Sequence, residues 1–273
     1  LLANTVAPRR LAILLGGVGD MVRRERAEIA RVRGRLAEER ARAPEIWTPA
    51  SPLVTVHIAT YNRGKLIAER AIASALAQTH RNVEVVVVGD CCDLATADAV
   101  LAVRDPRVRF ENLAVRGPYP EDVWARWMVA GTAPVNRALE LARGEWIAPL
   151  DDDDEFTPDH VEVLLDECRR RRLELAYGVA AMEMERGRWQ HVGSWPPHEG
   201  RIAHQAVLYW AGLKFWHYWP DAWRLEEPGD WNMWRKMRKA GVRMGFVDRV
   251  VCRHYLERRE FRGALEEALA VTW

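Results

Sequence analysis

The chain has 273 residues, enough for one large domain or two small ones, and its 40 basic and 39 acidic residues leave a formal net charge of +1. A nearly neutral chain has no overall field that attracts a polyanion, so we expect no nucleic-acid partner. The four cysteines contain no CxxC pair, which provides no disulfide or zinc framework and favours a reducing, cytoplasmic compartment.

Residues 1–46 are predicted to form a helical extension outside the main domain. Arg, Glu and Ala are frequent at 21–42, where Ile29, Val32 and Leu36 recur at helical spacing. This pattern is compatible with a coiled-coil stem that makes a homo-oligomer, a clamp on the main domain, or the tail of an upstream segment. No apolar run reaches the roughly 20 residues that cross a bilayer, so we expect no transmembrane segment.

From residue 53 onward, predicted strands and helices alternate. Strands are predicted at 53–59, 83–88, 108–110 and 145–150, and helices at 66–77, 94–103, 133–142 and 160–171. This order predicts an α/β fold with a Rossmann-like, mostly parallel sheet flanked by helices. The second half is less regular: strands are predicted at 175–184 and 243–251 and a helix at 231–240. Eight of the 13 tryptophans lie between Trp189 and Trp234, and we interpret most of them as core and two or three as a pocket wall.

Four consecutive carboxylates, Asp151 to Asp154, directly follow a buried strand. Hard divalent cations such as Mg²⁺ and Mn²⁺ prefer oxygen ligands and often share a site with phosphate oxygens. Open α/β sheets bind ligands at the carboxyl ends of their strands, which favours a metal-assisted phosphate site. Taken alone, the run is equally compatible with a solvated acidic turn that caps the next helix.

Polar residues also end the first two strands: Thr60 and Tyr61 follow one, and Asp90 follows the other. Neither a G-x-G-x-x-G nor a P-loop motif is present, so a nucleotide needs other contacts. An aromatic ring that stacks on the base, a carboxylate for the base or ribose, and a metal for the diphosphate would suffice. Tyr61, Asp90 and the acidic run could supply these three, with Thr60 beside them.

Several spaced motifs occur in a specific order. They are residues 54–62, 75–79, 84–90, Asn136 and 142–147, followed by the acidic run. This combination strongly resembles the family two glycosyltransferases of GT-A fold, in particular the bacterial spore-coat type of nucleotide-diphospho-sugar transferase. The similarity is close over 52–159 and weaker as far as about 254. It implies a nucleotide-sugar-binding half at 47–160 and an acceptor-binding half at 161–273.

The resemblance implies roles for the nucleotide site. Tyr61 matches the aromatic residue that stacks on the base, Asp90 the carboxylate that recognises it, and Asp152 the ribose contact. Two departures stand out: Gly89 replaces the first of two acids after the second strand, and Val135 replaces the arginine that commonly precedes Asn136. We expect a nucleoside-diphosphate sugar as donor, with UDP or TDP favoured.

The resemblance also implies a metal site and a base. Asp151 to Asp153 match the family's D-x-D, with Asp153 and Asp151 as ligands of Mn²⁺ or Mg²⁺. His254 lies where some GT-A enzymes place a late metal contact, although a packed histidine after a strand is an equal alternative. Asp230 matches the general base for an acceptor hydroxyl, carbohydrate or other, and its alternative role is a helix N-cap.

The chain is thus expected to be a metal-dependent inverting glycosyltransferase. A non-catalytic sugar-nucleotide-binding or scaffold domain, oligomerised by the N-terminal helix, is the main alternative. Asp153 and Asp230 together favour activity, because binding alone does not require the second acid. A nucleotidyltransferase is disfavoured, because it usually carries a Gly-rich phosphate loop near its first strand and this chain does not.

Overall fold

The computed structural model describes residues 6–185 and 187–255. Its helices are α1 (Val6–Arg42), α2 (Ala73–Leu76, continuing a π-helical segment at Ile67–Ile72), α3 (Leu94–Leu101), α4 (Val123–Val129), α5 (Thr132–Leu141), α6 (His160–Arg171) and α7 (Gly229–Ala240). Its strands are β1 (Val54–Thr60), β2 (Val83–Gly89), β3 (Val108–Asn112), β4 (Trp146–Asp151), β5 (Glu155–Phe156), β6 (Leu175–Glu185), β7 (Arg188–Val192), β8 (Val207–Trp210) and β9 (Met244–His254). The predicted extension at 1–5 and the predicted acceptor half from 256 onward lie outside the described residues.

Within the described residues the strands form one sheet in the order β3-β2-β1-β4-β8-β6-β9-β5, with β7 paired to β6. β1 is parallel to both β2 and β4, and β2 is parallel to β3. β8 is antiparallel to both of its neighbours, so the second half of the sheet is mixed. The predicted α/β architecture is confirmed, and β5, β7, β8 and α4 are additions to the predicted elements.

A buried polar contact fixes the start of β4 against β1. The Thr55 hydroxyl accepts a hydrogen bond from the Gly144 N–H at 2.9 Å and donates one to Glu84 on β2 at 2.6 Å. A Cβ at residue 144 would lie 2.5 Å from the Thr55 nitrogen, so only glycine permits this approach. The contact holds β1, β2 and β4 in register, which brings their carboxyl ends together.

The helix α1 lies along its own domain. Its predicted apolar stripe is buried, with Val32 and Leu36 each only 1% exposed, and it contacts α7 and the 3₁₀ turn at Ala222–Leu225. The described part of this helix is a clamp on the main domain, one of the three roles compatible with the sequence. A homo-oligomer through this helix stays a prediction. Among the described helices, none combines the length and apolar composition that crossing a bilayer requires.

The carboxyl end of α1 is fixed by ion pairs. The Glu174 carboxylate is fully buried and bonds Arg40 at 2.6 Å and Arg243 at 2.8 Å. It also accepts a hydrogen bond from the backbone N–H of Arg243 at 2.9 Å. Because a buried carboxylate is costly unless it is paired, this contact ties the helix to the strands β6 and β9.

Two histidines are buried in the core. His57 on β1 has no hydrogen-bond partner for either ring nitrogen within the described structure, whereas His160 on α6 bonds the Val251 carbonyl through Nδ1 at 3.0 Å. Burial disfavours the charged ring and lowers the pKa of each to about 3, from an ordinary value of 6.5. Both imidazoles are therefore neutral in the folded protein at neutral pH.

These rings should make the fold sensitive to acid. Between pH 6.5 and pH 3 the unfolded chain binds protons that the folded chain rejects, so the stability contributed by each neutral ring is complete above pH 6.5 and is lost as the pH falls. His57→Leu should remove a slope of about 1.4 kcal/mol per pH unit from the free energy of unfolding. Urea unfolding at pH 6 and pH 5 measures this. The control Val56→Ala should destabilise equally at both pH values, and an unchanged slope in His57→Leu would contradict the prediction.

Candidate active site

The carboxyl ends of β1, β2 and β4 meet at one edge of the sheet. Ala59 is level with Val88 and with Asp151, and the Asp90 N–H donates to the Thr60 carbonyl at 2.8 Å. The predicted site residues at these strand ends, Thr60, Asp90 and Asp151, therefore share one crevice. This follows from the parallel register, because each strand runs in the same direction to the same edge.

Tyr61 and Asp90 lie together at the predicted nucleotide end. The Tyr61 ring is 41% exposed and the Arg116 guanidinium covers it at 3.8 Å from the ring centre. Asp90 is buried, accepts from the Gly117 N–H at 2.9 Å, and lies 3.8 Å from the Arg116 side chain. Burial and a hydrogen bond to Asp90 raise the pKa of the Tyr119 hydroxyl. This pocket contains an exposed aromatic face beside a buried carboxylate.

Sequence reasoning missed Arg116 and Tyr119. Both follow β3, whose carboxyl end lies at the same edge as that of β2 because the two strands are parallel. Thr60 is buried, and its hydroxyl has no hydrogen-bond partner within the described structure. Its predicted contact with a bound nucleotide stays a prediction.

Every carboxylate of the acidic run bonds a basic side chain, and Asp152 and Asp153 share one. Asp151 bonds His204 at 3.0 Å, Asp152 and Asp153 bond Arg63 at 2.9 and 2.6 Å, and Asp154 bonds His254 at 2.7 Å. Residues 152–154 are at most 5% exposed. Asp152 to Asp154 are therefore buried and paired, whereas the Asp151 side chain is 40% exposed, so the run as a whole is not a solvated turn. Arg63 supplies positive charge to two of its members, Asp152 and Asp153.

Three side chains of this cluster lie close enough together to hold a cation. One ligand atom from each of Asp151, Asp154 and His254 lies within 4.8 Å of the other two. Two carboxylates and an imidazole fit Mn²⁺ well, since carboxylates suit Mg²⁺ and Mn²⁺ and imidazole suits transition metals. The predicted ligands Asp151 and His254 are thus brought together, and Asp154 is a member that the sequence did not indicate.

The predicted ligand Asp153 lies beside Arg63, and its metal contact stays a prediction. Asp154 is fully buried and also accepts hydrogen bonds from Gln205 at 2.6 Å and from the Tyr255 N–H at 3.0 Å. Burial alone would lower the pKa of His254, but the Asp154 carboxylate outweighs it and raises that pKa to about 9. Burial likewise raises the pKa of the Asp154 carboxyl, and the hydrogen bond from His254 opposes that rise.

Asp230 lies in the first turn of α7, near Asp151 and His204. Burial raises the pKa of its carboxyl, the positive potential of His204 lowers it, and Asp151 raises it again. The N-cap of α7 is Pro228, so Asp230 is the second helical residue and not the cap that the sequence offered as an alternative. A carboxylate in the first turn is favoured by the helix dipole.

Trp216 and Trp219 belong to the core and not to a pocket wall. They are 1% and 4% exposed, and the Lys236 ammonium lies 3.6 Å from the centre of the Trp219 ring. Trp195 is 54% exposed and Trp189 packs edge-on against Tyr255 at 5.2 Å. The exposed aromatic faces of the second half therefore come from the segment around β7.

A comparison with protein families matches residues 55–119 and 130–223 to the family described as "Glycosyl transferase family 2". The chain belongs to this family. Among curated relatives, 126 residues are 41% identical to the succinoglycan biosynthesis protein ExoO of Rhizobium meliloti (strain 1021). That match covers 46% of this chain and 32% of the relative, so the chain spans about a third of ExoO.

Two solved structures share the fold. S. aureus TarS 1-349 in complex with UDP has a TM-score of 0.57 at 18% identity, covering 80% of this chain and 64% of that one. The mannosyltransferase PcManGT from Pyrobaculum calidifontis, in complex with GDP-Man and Mn²⁺, has a TM-score of 0.58 at 17% identity, covering 87% and 70%. These structures confirm the predicted GT-A fold, and the family match confirms the resemblance to family two glycosyltransferases.

Proposed function

We propose that this chain is a metal-dependent inverting glycosyltransferase that moves a sugar from a nucleoside-diphosphate donor to an acceptor hydroxyl. One observation carries the proposal. The exposed Tyr61 ring with the buried Asp90, the cation-fitting cluster of Asp151, Asp154 and His254, and the Asp230 carboxylate all lie along one crevice. A binding or scaffold domain does not need the Asp230 carboxylate.

On the donor side, Tyr61 stacks on the base, Asp90 recognises its edge, and Asp152 and Thr60 contact the ribose. We favour UDP or TDP as the nucleotide of the donor. The structure of TarS with UDP supports the uridine form. PcManGT holds GDP-Man, which makes guanosine the comparison to include in a test. A divalent cation at the cluster, with Asp153 beside it, would neutralise the negative charge that develops on the departing diphosphate.

On the acceptor side, Asp230 takes the proton of the attacking hydroxyl. The oxygen then forms a bond to C1 of the sugar as the bond from C1 to the diphosphate oxygen breaks, which inverts the configuration at C1. A base in a partly buried site with a raised pKa is better matched to this proton transfer than an exposed carboxylate. The acceptor, a carbohydrate or another hydroxyl compound, binds in the half of the domain from 161 onward.

The donor half extends over 47–160 and follows the helical extension at 1–46. We place the protein in the cytoplasm, because Cys91, Cys92, Cys168 and Cys252 are all free thiols, as a reducing compartment favours. Assembly through α1 would have to use its outer face, since the stripe of Val32 and Leu36 is buried against the domain.

A thermal-shift screen tests the donor assignment. UDP, TDP and GDP are compared with Mn²⁺ present, and a ligand at 100 times its Kd should stabilise the fold by about 2.7 kcal/mol. Tyr61→Ala should weaken the preferred nucleotide by roughly 5–150-fold, because base–aromatic stacking contributes about 1–3 kcal/mol. Leu101→Ala, an exposed apolar residue on α3, is the control and should bind normally. No shift with any nucleotide would contradict the proposed function.

A further inference from the structure

His204 connects the acidic run to the loop that precedes α7. Its Nδ1 lies 3.0 Å from Asp151 Oδ1, and its Nε2 lies 3.1 Å from the Tyr218 hydroxyl. Because a carboxylate only accepts, the Nδ1–H donates to Asp151. The hydroxyl can donate to Nε2 of a neutral ring or accept from a charged one, so the link holds in either state. His57 packs beside the imidazole, with the ring centres 5.9 Å apart.

Tyr218 is itself held from another element. The Asn136 side chain on α5 donates to the Tyr218 carbonyl at 2.9 Å and accepts from the Tyr218 N–H at 2.8 Å. The Tyr218 ring is 4% exposed and packs edge-on against Trp234 of α7 at 6.4 Å. An unbroken chain of contacts therefore runs from α5 through Asn136, Tyr218 and His204 to the Asp151 carboxylate.

We propose that His204 is a positioning residue that aims Asp151 at the ligand position it shares with Asp154 and His254, and that Tyr218 holds His204 for this purpose. The inference rests on the proposed function. It makes cation affinity depend on the order of the loop between β8 and α7, which leads directly to Asp230. Outer partners of a metal ligand fix its orientation, and their loss typically lowers metal affinity about 10–100-fold. Coupling of this kind is reciprocal, so the cation should in turn order that loop.

The test measures binding of Mn²⁺ alone, by calorimetry, without a nucleotide. Tyr218→Phe deletes only the hydroxyl and keeps the ring against Trp234, and we expect it to weaken Mn²⁺ binding about 10-fold or more. Tyr209→Phe is the matched control. Its ring packs against the same tryptophan at 5.6 Å, but its buried hydroxyl has no hydrogen-bond partner within the described structure. This control should bind Mn²⁺ as the unaltered protein does.

Two further variants divide the link. His204→Asn places an amide N–H near the position of Nδ1 but cannot reach Tyr218, so its Mn²⁺ affinity should match that of Tyr218→Phe. The double variant of His204→Asn and Tyr218→Phe should bind Mn²⁺ no more weakly than either single variant. His204→Phe, which loses both contacts, should bind Mn²⁺ most weakly. Melting temperatures identify any variant that fails to fold.

The outcomes separate this inference from the proposed function. Equal Mn²⁺ affinities for the unaltered protein, Tyr218→Phe and His204→Phe would overturn the positioning role alone. A lowered melting temperature with unchanged Mn²⁺ affinity would mean that the contacts only hold the fold together, and would also overturn it. If the unaltered protein does not bind Mn²⁺, the proposed metal dependence and this inference both fail. The role of His204 is supported if Mn²⁺ affinity falls in Tyr218→Phe and His204→Asn and falls furthest in His204→Phe.

Discussion

Asp230→Asn should lower kcat by about 10²–10⁴-fold, the usual contribution of a general base. The amide keeps the shape of the carboxylate in the first turn of α7 but cannot take the acceptor proton. Donor affinity should hardly change, because the carboxylate faces the Asp151 and His204 end of the crevice while the base-binding pair lies at Tyr61 and Asp90. Initial rates at saturating donor, with nucleotide affinity measured separately, check both expectations.

The control is Glu226→Gln, which removes an exposed carboxylate from the segment just before α7 and should leave kcat unaltered. A purely structural role for Asp230 predicts the reverse pattern, with a lowered melting temperature in Asp230→Ala and near-normal turnover in Asp230→Asn. Because burial raises the pKa of this carboxyl, the base reading further implies that activity falls on the acid side as Asp230 gains its proton. Full activity of Asp230→Asn would mean that a different carboxylate is the base.

The edge of the sheet was predictable from the sequence because β1, β2 and β4 are short, almost fully buried apolar runs with polar residues at their ends. β8 was not predictable in the same way. Its four residues are all buried and show no alternation, so periodicity cannot distinguish this strand from a piece of core helix. Yet β8 lies between β4 and β6, and the 3₁₀ turn before it carries His204 and Gln205 to the acidic run.

Long-range pairing limited what the sequence revealed about the site. The density of the carboxylates required counter-charges, but the pattern could not show that Arg63 would fold back over Asp152 and Asp153, or that His204 would bond Asp151. These partners lie far along the chain and are joined only by the sheet. The same holds for α1, where the spacing of its apolar residues predicted a buried stripe and left open what would cover it.

Removal of divalent cations should weaken UDP binding at least about 100-fold. Asp151→Asn should remove most of this metal dependence. Loss of a group that only hydrogen-bonds to a metal ligand already lowers metal affinity about 10–100-fold, and Asp151 is a proposed ligand itself. A diphosphate that approaches this edge meets four carboxylates. Arg63 and His254 offset them only in part, so like charges within a few ångströms repel unless a cation lies between them. Calorimetry with UDP in Mn²⁺ and in EDTA measures the effect.

Glu155→Gln is the matched control for this experiment. Its carboxylate directly follows the run but bonds Arg253 at 2.7 Å and the Tyr255 hydroxyl at 2.9 Å, outside the group of Asp151, Asp154 and His254. It should retain the full difference between Mn²⁺ and EDTA.

Asp153→Asn then shows whether the cation is held by Asp151, Asp154 and His254 or by Asp153. If only this variant loses the metal dependence, the cation is held at the Arg63 side of the run. If tight UDP binding persists in EDTA for the unaltered protein, the crevice binds its donor without a metal, and the proposed metal dependence is wrong.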